Sequence, residues 1–178
     1  MCQVNNDNTV SLYHFYNNGT ISSSLLLSKN PTIGFTNIVT SYKNGVATCS
    51  FTRAVKMSDI TYYFDLSKSY YILAAYGPLK SDLPSFHTFY QSSSTMFNFQ
   101  NVSLINLTTT PVSVTPSAAK NIGIYQAGAI TLNWIMNTDS TTNITMYSKL
   151  SQNNWFAFGL STDNHMVKKN FDMFYGYL

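Results

Sequence analysis

The chain has 178 residues, of which 44% are hydrophobic and 15% aromatic, enough to bury the core of one sizeable domain. Only 10% of the residues are charged, well below the proportion usual in globular chains. The net charge of +3 comes from ten scattered Lys and Arg residues, and the absence of any basic run excludes a nucleic-acid surface. Ser, Thr and Asn supply most of the polarity, a balance that favours an extracellular β-protein over a cytosolic helical enzyme.

Short β-rich runs separated by turn residues dominate the chain. The predicted strands are Thr9–Tyr16, Ile33–Ser41, Gly45–Arg53, Ile60–Asp65, Tyr70–Ala75, Ile130–Met136, Thr142–Lys149, Trp155–Leu160 and Met173–Leu178. Asn-Gly pairs at Asn18 and Asn44 mark hairpins, because both residue types tolerate positive φ. Many short strands at this spacing predict an all-β, antiparallel, immunoglobulin-like β-sandwich.

Residues 100–126 differ in composition from the rest of the chain. The run "LTTTPVSVTPSAAK" is rich in Ser, Thr and Pro and lacks apolar periodicity, which predicts an extended linker. This linker separates an N-terminal block, residues 1–99, from a C-terminal block, residues 127–178. Each block alone leaves an apolar sheet face uncovered, so we expect the two blocks to complete one sandwich.

Two features bear on the cellular compartment. N-x-[ST] sequons predict N-glycosylation at Asn18, Asn101, Asn106 and Asn143. Cys2 and Cys49 lie in strand-like segments, where either a disulfide between neighbouring strands or two buried thiols fits the pattern. Together these features predict an extracellular or secretory-pathway protein. Neither a signal peptide nor a long apolar run is visible, so we interpret the chain as part of a longer protein.

The C-terminal block contains the pattern W-x-A-x-G-x-S-x-D-x-x-M between Trp155 and Met166, with Trp134 before it and Asp172 after it. This pattern resembles the opening half of a DOMON domain, the module named for the N-terminal region of dopamine β-monooxygenase. The N-terminal block, with "NGVATCSFTRAV" and "FHTFYQSS", resembles the closing half. Cys2 and Cys49 stand where the ferric-chelate-reductase-like branch of the family often has cysteines.

The two half-domains occur in reversed order. One explanation is a circular permutation, and the other is a window cut from a tandem pair of domains. The segments "DMFYGYL" at the end and "MCQV" at the start look like copies of one strand. A clean permutation does not duplicate a strand, so the tandem fragment is favoured.

The resemblance implies a b-type haem at one end of the sandwich. Carried over to this chain, it nominates Met166 and His87 as iron ligands and Phe86, Phe156 and Phe158 as apolar walls. A thioether and a neutral imidazole form a closed six-coordinate centre suited to electron transfer. The resemblance therefore implies an extracellular redox relay within a ferric-chelate-reductase-like protein, with a transmembrane cytochrome in the parent chain, and no enzyme by itself.

Two further interpretations stay open. The abundance of Tyr, Asn and Ser is also typical of a haem-free ligand-binding or adhesion module that recognises carbohydrate, because aromatic rings stack on sugars and amides bond their hydroxyls. The chain can also be a truncated product without independent activity. His14, His87 and His165 have no zinc or copper spacing, and no catalytic residue is assigned.

Overall fold

The structure is a computed structural model that describes residues 1–15, 30–60, 63–81, 83–100 and 122–163. These residues form strands, turns and irregular segments, and no helix. The strands are β1 (Cys2–Val4), β2 (Val10–Leu12), β3 (Phe35–Lys43), β4 (Val46–Ala54), β5 (Ser69–Lys80), β6 (Leu83–Pro84), β7 (Phe89–Ser92), β8 (Phe97–Asn98), β9 (Ile122–Ala127), β10 (Ile130–Met136), β11 (Thr141–Lys149) and β12 (Asn154–Ser161).

The strands form two antiparallel sheets. Sheet I has the order β2-β1-β12-β5-β6, and β7 and β8 also pair with β5. Sheet II has the order β3-β4-β11-β10-β9. Buried side chains from both sheets meet in one hydrophobic cluster, so the prediction of an all-β antiparallel sandwich is confirmed.

Buried and less buried side chains alternate along the long strands. In β4, Ala47, Cys49, Phe51 and Arg53 are buried, while the residues between them are only partly covered. In β11, the buried positions again recur at every second residue. Because successive side chains of a strand point to opposite faces, one face of each sheet enters the core and the other faces outward.

Both sheets contain strands from both sequence blocks. In sheet II, β11 of the C-terminal block pairs with β4 of the N-terminal block along nine residue pairs, from Thr141–Ala54 to Lys149–Val46. In sheet I, β12 lies between β1 and β5. The expectation that the two blocks complete one sandwich is therefore confirmed for the described strands.

A disulfide joins the two sheets across the core. Cys2 of β1 and Cys49 of β4 are bonded, with 6.4 Å between their Cα atoms, and both residues are fully buried. The sequence left a disulfide and two thiols open, and the bridge connects opposite sheets rather than neighbouring strands. Disulfides persist in oxidising environments, so the bridge is consistent with a non-cytoplasmic location.

Several predicted elements need correction. Residues 122–126 of the predicted linker belong to β9, whose Gly123, Tyr125 and Ala127 alternate into the core. The described part of the predicted strand Ile60–Asp65, namely Ile60 and residues 63–65, forms no strand. The Tyr63 amide donates to the Ile60 carbonyl at 3.3 Å. Residues 101–121 and the predicted strand Met173–Leu178 lie outside the described residues.

Candidate functional site

A cleft of about 290 Å³ lies between strands of sheet I and the edge strand β9 of sheet II. Strands β7 and β8 form one wall, and the edge strand β9 forms the other. The lining residues are Gln91, Ser92, Ser93, Ser94, Phe97, Ile124, Tyr125 and Gln126. The volume is close to the lower end of the range for small-molecule sites, roughly 300–1,000 Å³.

Uncharged polar residues line much of this cleft. Gln91, Ser92, Ser94 and Gln126 line it and stand on β7, β9 and the segment after β7. Within the described residues, none of these four side chains makes a hydrogen bond to another group. Amide groups supply both donors and acceptors, and hydroxyl groups do the same. The cleft therefore offers hydrogen-bonding groups of both kinds, with no formal charge among the lining residues that the structure describes.

Aromatic rings form the apolar part of the same cleft. Phe97 and Tyr125 meet edge to face, with 5.8 Å between their ring centroids. Tyr125 is 9% exposed, and its hydroxyl is buried with no hydrogen-bond partner among the described residues. Burial also raises the pKa of Tyr125, so the phenol is neutral at physiological pH. A buried unpaired hydroxyl costs about 1–3 kcal/mol.

Contacts beside the cleft hold its two walls in place. Phe89 of β7 stacks on Tyr76 of β5, with 4.9 Å between the ring centroids. The turn between β9 and β10 packs on the same ring, since a Cβ added at Gly128 would lie 2.7 Å from Phe89 Cζ. Gly128 has a φ of +55°, a conformation that glycine adopts readily. The turn can therefore approach Phe89 closely enough to hold β9 beside β7.

Ser93 also lines the cleft, but its hydroxyl already makes two hydrogen bonds within the protein. Its hydroxyl accepts a hydrogen bond from the Ile72 amide at 3.0 Å and donates one to the Thr95 carbonyl at 2.8 Å. These bonds continue the pairing of β5 beyond the end of β7. Ser92 is paired with Leu73 and points to the opposite face of β7 from Gln91, so Ser94 is the exposed serine beside Gln91 in the lining.

The nominated haem residues His87 and Phe86 lie on a different part of the molecule. Their segment crosses the outer face of sheet I at Gly77, where an added Cβ would lie 2.9 Å from His87 Cα. The Trp155 indole nitrogen donates to the Ser85 carbonyl at 3.2 Å beside it. Phe86 is 48% exposed, and the His87 ring meets Tyr90 edge to face at 4.9 Å. Partial burial lowers the pKa of His87.

The other nominated walls face the interior. Phe156 is fully buried in the core between the sheets, and Phe158 packs against the same core. Since sheet I separates them from Phe86, the three phenylalanines do not flank one slot that fits a porphyrin. Met166 lies outside the described residues, so its role as an iron ligand stays a prediction.

The remaining sequence predictions concern metal and glycan sites. No group of three or more His, Cys, Asp or Glu side chains comes together in the described ranges to hold a metal ion. Of the four predicted glycosylation sites, Asn143 lies within the described residues and is exposed on β11. Asn18, Asn101 and Asn106 lie outside the described residues. Within the described part of the chain, no helix is long and apolar enough to cross a membrane.

The chain was compared with known protein families, curated proteins and solved structures. The chain matches no model of a protein family, no curated protein and no solved structure. The resemblance to the DOMON domain therefore stays a prediction from the motifs, and function has to be argued from the cleft itself.

Proposed function

We propose that this chain is an extracellular carbohydrate-binding module whose ligand lies in the cleft between β7, β8 and β9. One observation supports the proposal above all others. Among the described residues, the cleft lining carries no charged residue and brings the amide and hydroxyl residues Gln91, Ser92, Ser94 and Gln126 together with two aromatic rings. A neutral sugar presents hydroxyl groups that both donate and accept, and C–H faces that pack on aromatic rings.

The size and openness of the cleft define the ligand further. A volume of about 290 Å³ suits about one or two sugar rings, since larger organic ligands need the upper part of the usual range. The cleft runs along the edge strand β9, so a longer glycan extends past it into solvent. The proposal therefore predicts recognition of a short neutral epitope at the end or side of a polysaccharide or glycoprotein glycan.

Titration with a panel of neutral disaccharides tests this proposal. We expect at least one of cellobiose, maltose, mannobiose and chitobiose to bind in a saturable manner. Replacing Gln91 with Ala removes about one neutral hydrogen bond, at roughly 0.5–1.5 kcal/mol, and weakens binding about 2- to 13-fold. Gln126→Ala has an effect of similar size from the other wall, measured by isothermal titration calorimetry.

Gln152→Ala is the matched control for this experiment. Gln152 is an exposed glutamine outside the cleft lining, and its amide donates to Asn8 at 2.6 Å. We expect its affinity for the sugar to equal that of the unmodified chain. Equal affinity of all three glutamine variants, or no saturable binding of any disaccharide, argues against the proposed site.

A second candidate function is electron transfer through a b-type haem, as part of a ferric-chelate-reductase-like protein whose parent chain also carries a transmembrane cytochrome. It is supported by the DOMON-like motifs and by one structural observation. Burial lowers the pKa of His87, so the imidazole is neutral at pH 7, the form that ligates iron. Because Phe156 and Phe158 face the core, the porphyrin walls in this proposal have to come from residues other than these two.

Haem addition to the purified chain decides this second candidate. It predicts a sharp low-spin α band in the reduced-minus-oxidised spectrum, which His87→Ala and Met166→Leu each abolish. His14→Ala is the control, because His14 Nδ1 already pairs with the Ile33 carbonyl at 2.9 Å, and this variant keeps the band. Absence of the band, or its survival in His87→Ala, eliminates the haem proposal.

A further inference from the structure

The outer face of sheet II carries a network of hydroxyl and amide groups around one sequon. Asn143 and Thr145 stand two residues apart on β11, so both face outward, while Ile144 between them is buried at 1% exposure. The Thr145 hydroxyl lies 2.9 Å from the Ser50 hydroxyl on the neighbouring strand β4. The two residues that define the sequon are therefore adjacent on the solvent-facing side of the sheet.

The Asn143 amide is oriented by its acceptor atom. Its Oδ1 accepts hydrogen bonds from the Thr52 hydroxyl at 2.8 Å and from the Asn137 amide at 3.2 Å. The Thr52 hydroxyl accepts in turn from the Asn37 amide at 3.3 Å. Within the described residues, Asn143 Nδ2 donates to no other group, and the residue is exposed. The nitrogen thus faces solvent, while the oxygen alone takes part in the network.

We propose that Asn143 Nδ2 carries an N-linked glycan. The glycan comes from a lipid-linked oligosaccharide diphosphate, the donor class used in the secretory pathway. A bond forms between Nδ2 and the first sugar carbon, the bond from that carbon to the diphosphate oxygen breaks, and Nδ2 loses one proton. The lipid diphosphate leaves with the electron pair of the broken bond. This proposal depends on the proposed extracellular location and not on the sugar-binding cleft.

The folded sheet accommodates such a glycan without losing a described hydrogen bond. Glycosylation replaces one hydrogen on Nδ2 and leaves Oδ1 free to accept from Thr52 and Asn137. The cross-strand partner of Asn143 is Ile135 on β10, which is 39% exposed. Directly paired side chains lie about 4.5–5.5 Å apart at their Cβ atoms. The first sugar therefore lies beside Ile135 and covers an apolar side chain that otherwise faces water.

Peptide mapping of the full chain, secreted from eukaryotic cells, tests the proposal. The protein is treated with peptide N-glycosidase in heavy-oxygen water, which marks each formerly glycosylated asparagine by deamidation with heavy oxygen. We expect the mark at Asn143 in the unmodified chain and in Thr145→Ser, which keeps the sequon hydroxyl. We expect no mark in Thr145→Ala, which removes that hydroxyl.

The state of the disulfide separates a failure of this proposal from a failure of the proposed location. A secreted chain with an oxidised Cys2–Cys49 bond and an unmodified Asn143 overturns the glycan proposal, because the chain has then passed through the oxidising compartment. A marked Asn143 together with absent sugar binding in the cleft supports the glycan and refutes only the proposed ligand site.

Discussion

Replacing both Cys2 and Cys49 with alanine is expected to lower the free energy of unfolding by about 4 kcal/mol. The bridge closes a loop with a sequence separation of 47 residues, and the chain-entropy relation gives about 4 kcal/mol for a loop of that length. The effect is large because β1 is only three residues long and the bridge joins it covalently to β4 of the other sheet. Urea denaturation followed by the fluorescence of Trp134 and Trp155 measures the loss.

Reductant provides the control for the disulfide prediction. With reductant, the unmodified chain is expected to unfold at the urea concentration of the double alanine variant, and the variant is expected to show no response to reductant. A loss below about 1 kcal/mol, far under the entropic estimate for this loop, contradicts the account. A double variant that still responds to reductant contradicts it as well.

Gly123→Ala is expected to destabilise the fold by about 3 kcal/mol or more, the upper range for overpacking a core. An added Cβ at Gly123 would lie 2.0 Å from Cε2 and Cζ2 of Trp134, its cross-strand partner on β10. Trp134 is 1% exposed and packs on Phe99 with 4.8 Å between ring centroids. Because the interior is close-packed, the indole cannot move away without displacing other core side chains.

Gly159→Ala is the matched control, since Gly159 is also a strand glycine, on β12. An added Cβ there meets only Leu73 Cβ at 4.0 Å, an ordinary contact. We expect a change near zero or a gain of about 0.4–1 kcal/mol from the smaller entropy of the unfolded chain. In a Trp134→Phe background, the penalty of Gly123→Ala is expected to shrink because the smaller ring leaves space. Urea denaturation measures the free energy of unfolding of each variant. An equal loss in Gly123→Ala and Gly159→Ala would contradict this prediction.

Local patterns predicted the long strands well and failed where tertiary contacts decide. The segment Val46–Ala54 alternates clearly between core and solvent, and Asn44 and Gly45 form its hairpin turn with positive φ. By contrast, the described part of the predicted strand Ile60–Asp65 forms no strand, and its Tyr63 makes tertiary contacts instead. There the Tyr63 hydroxyl donates to the Ala54 carbonyl at 2.9 Å and accepts from Arg53 at 3.1 Å. Strand propensity cannot distinguish such a segment from a strand.

The candidate site could not be read from the sequence for a related reason. Gln91 and Gln126 lie 35 positions apart and belong to different sheets, so no local motif contains both. The Ser/Thr/Pro-rich composition before β9 also concealed the short alternating run that builds one wall. The residues nominated from motifs, His87 and Phe156, lie instead on the outer face and in the core.

The most direct test of the sugar-binding cleft is the nitrogen–proton NMR spectrum of the chain, titrated with the disaccharide that binds best in calorimetry. We expect saturable shifts of backbone amides in residues 91–97 and 122–126, on both walls of the cleft. Amides near His87 and Trp155 on the outer face of sheet I are predicted to stay unchanged. Shifts confined to that outer face, or shifts on one wall only, contradict the proposed site.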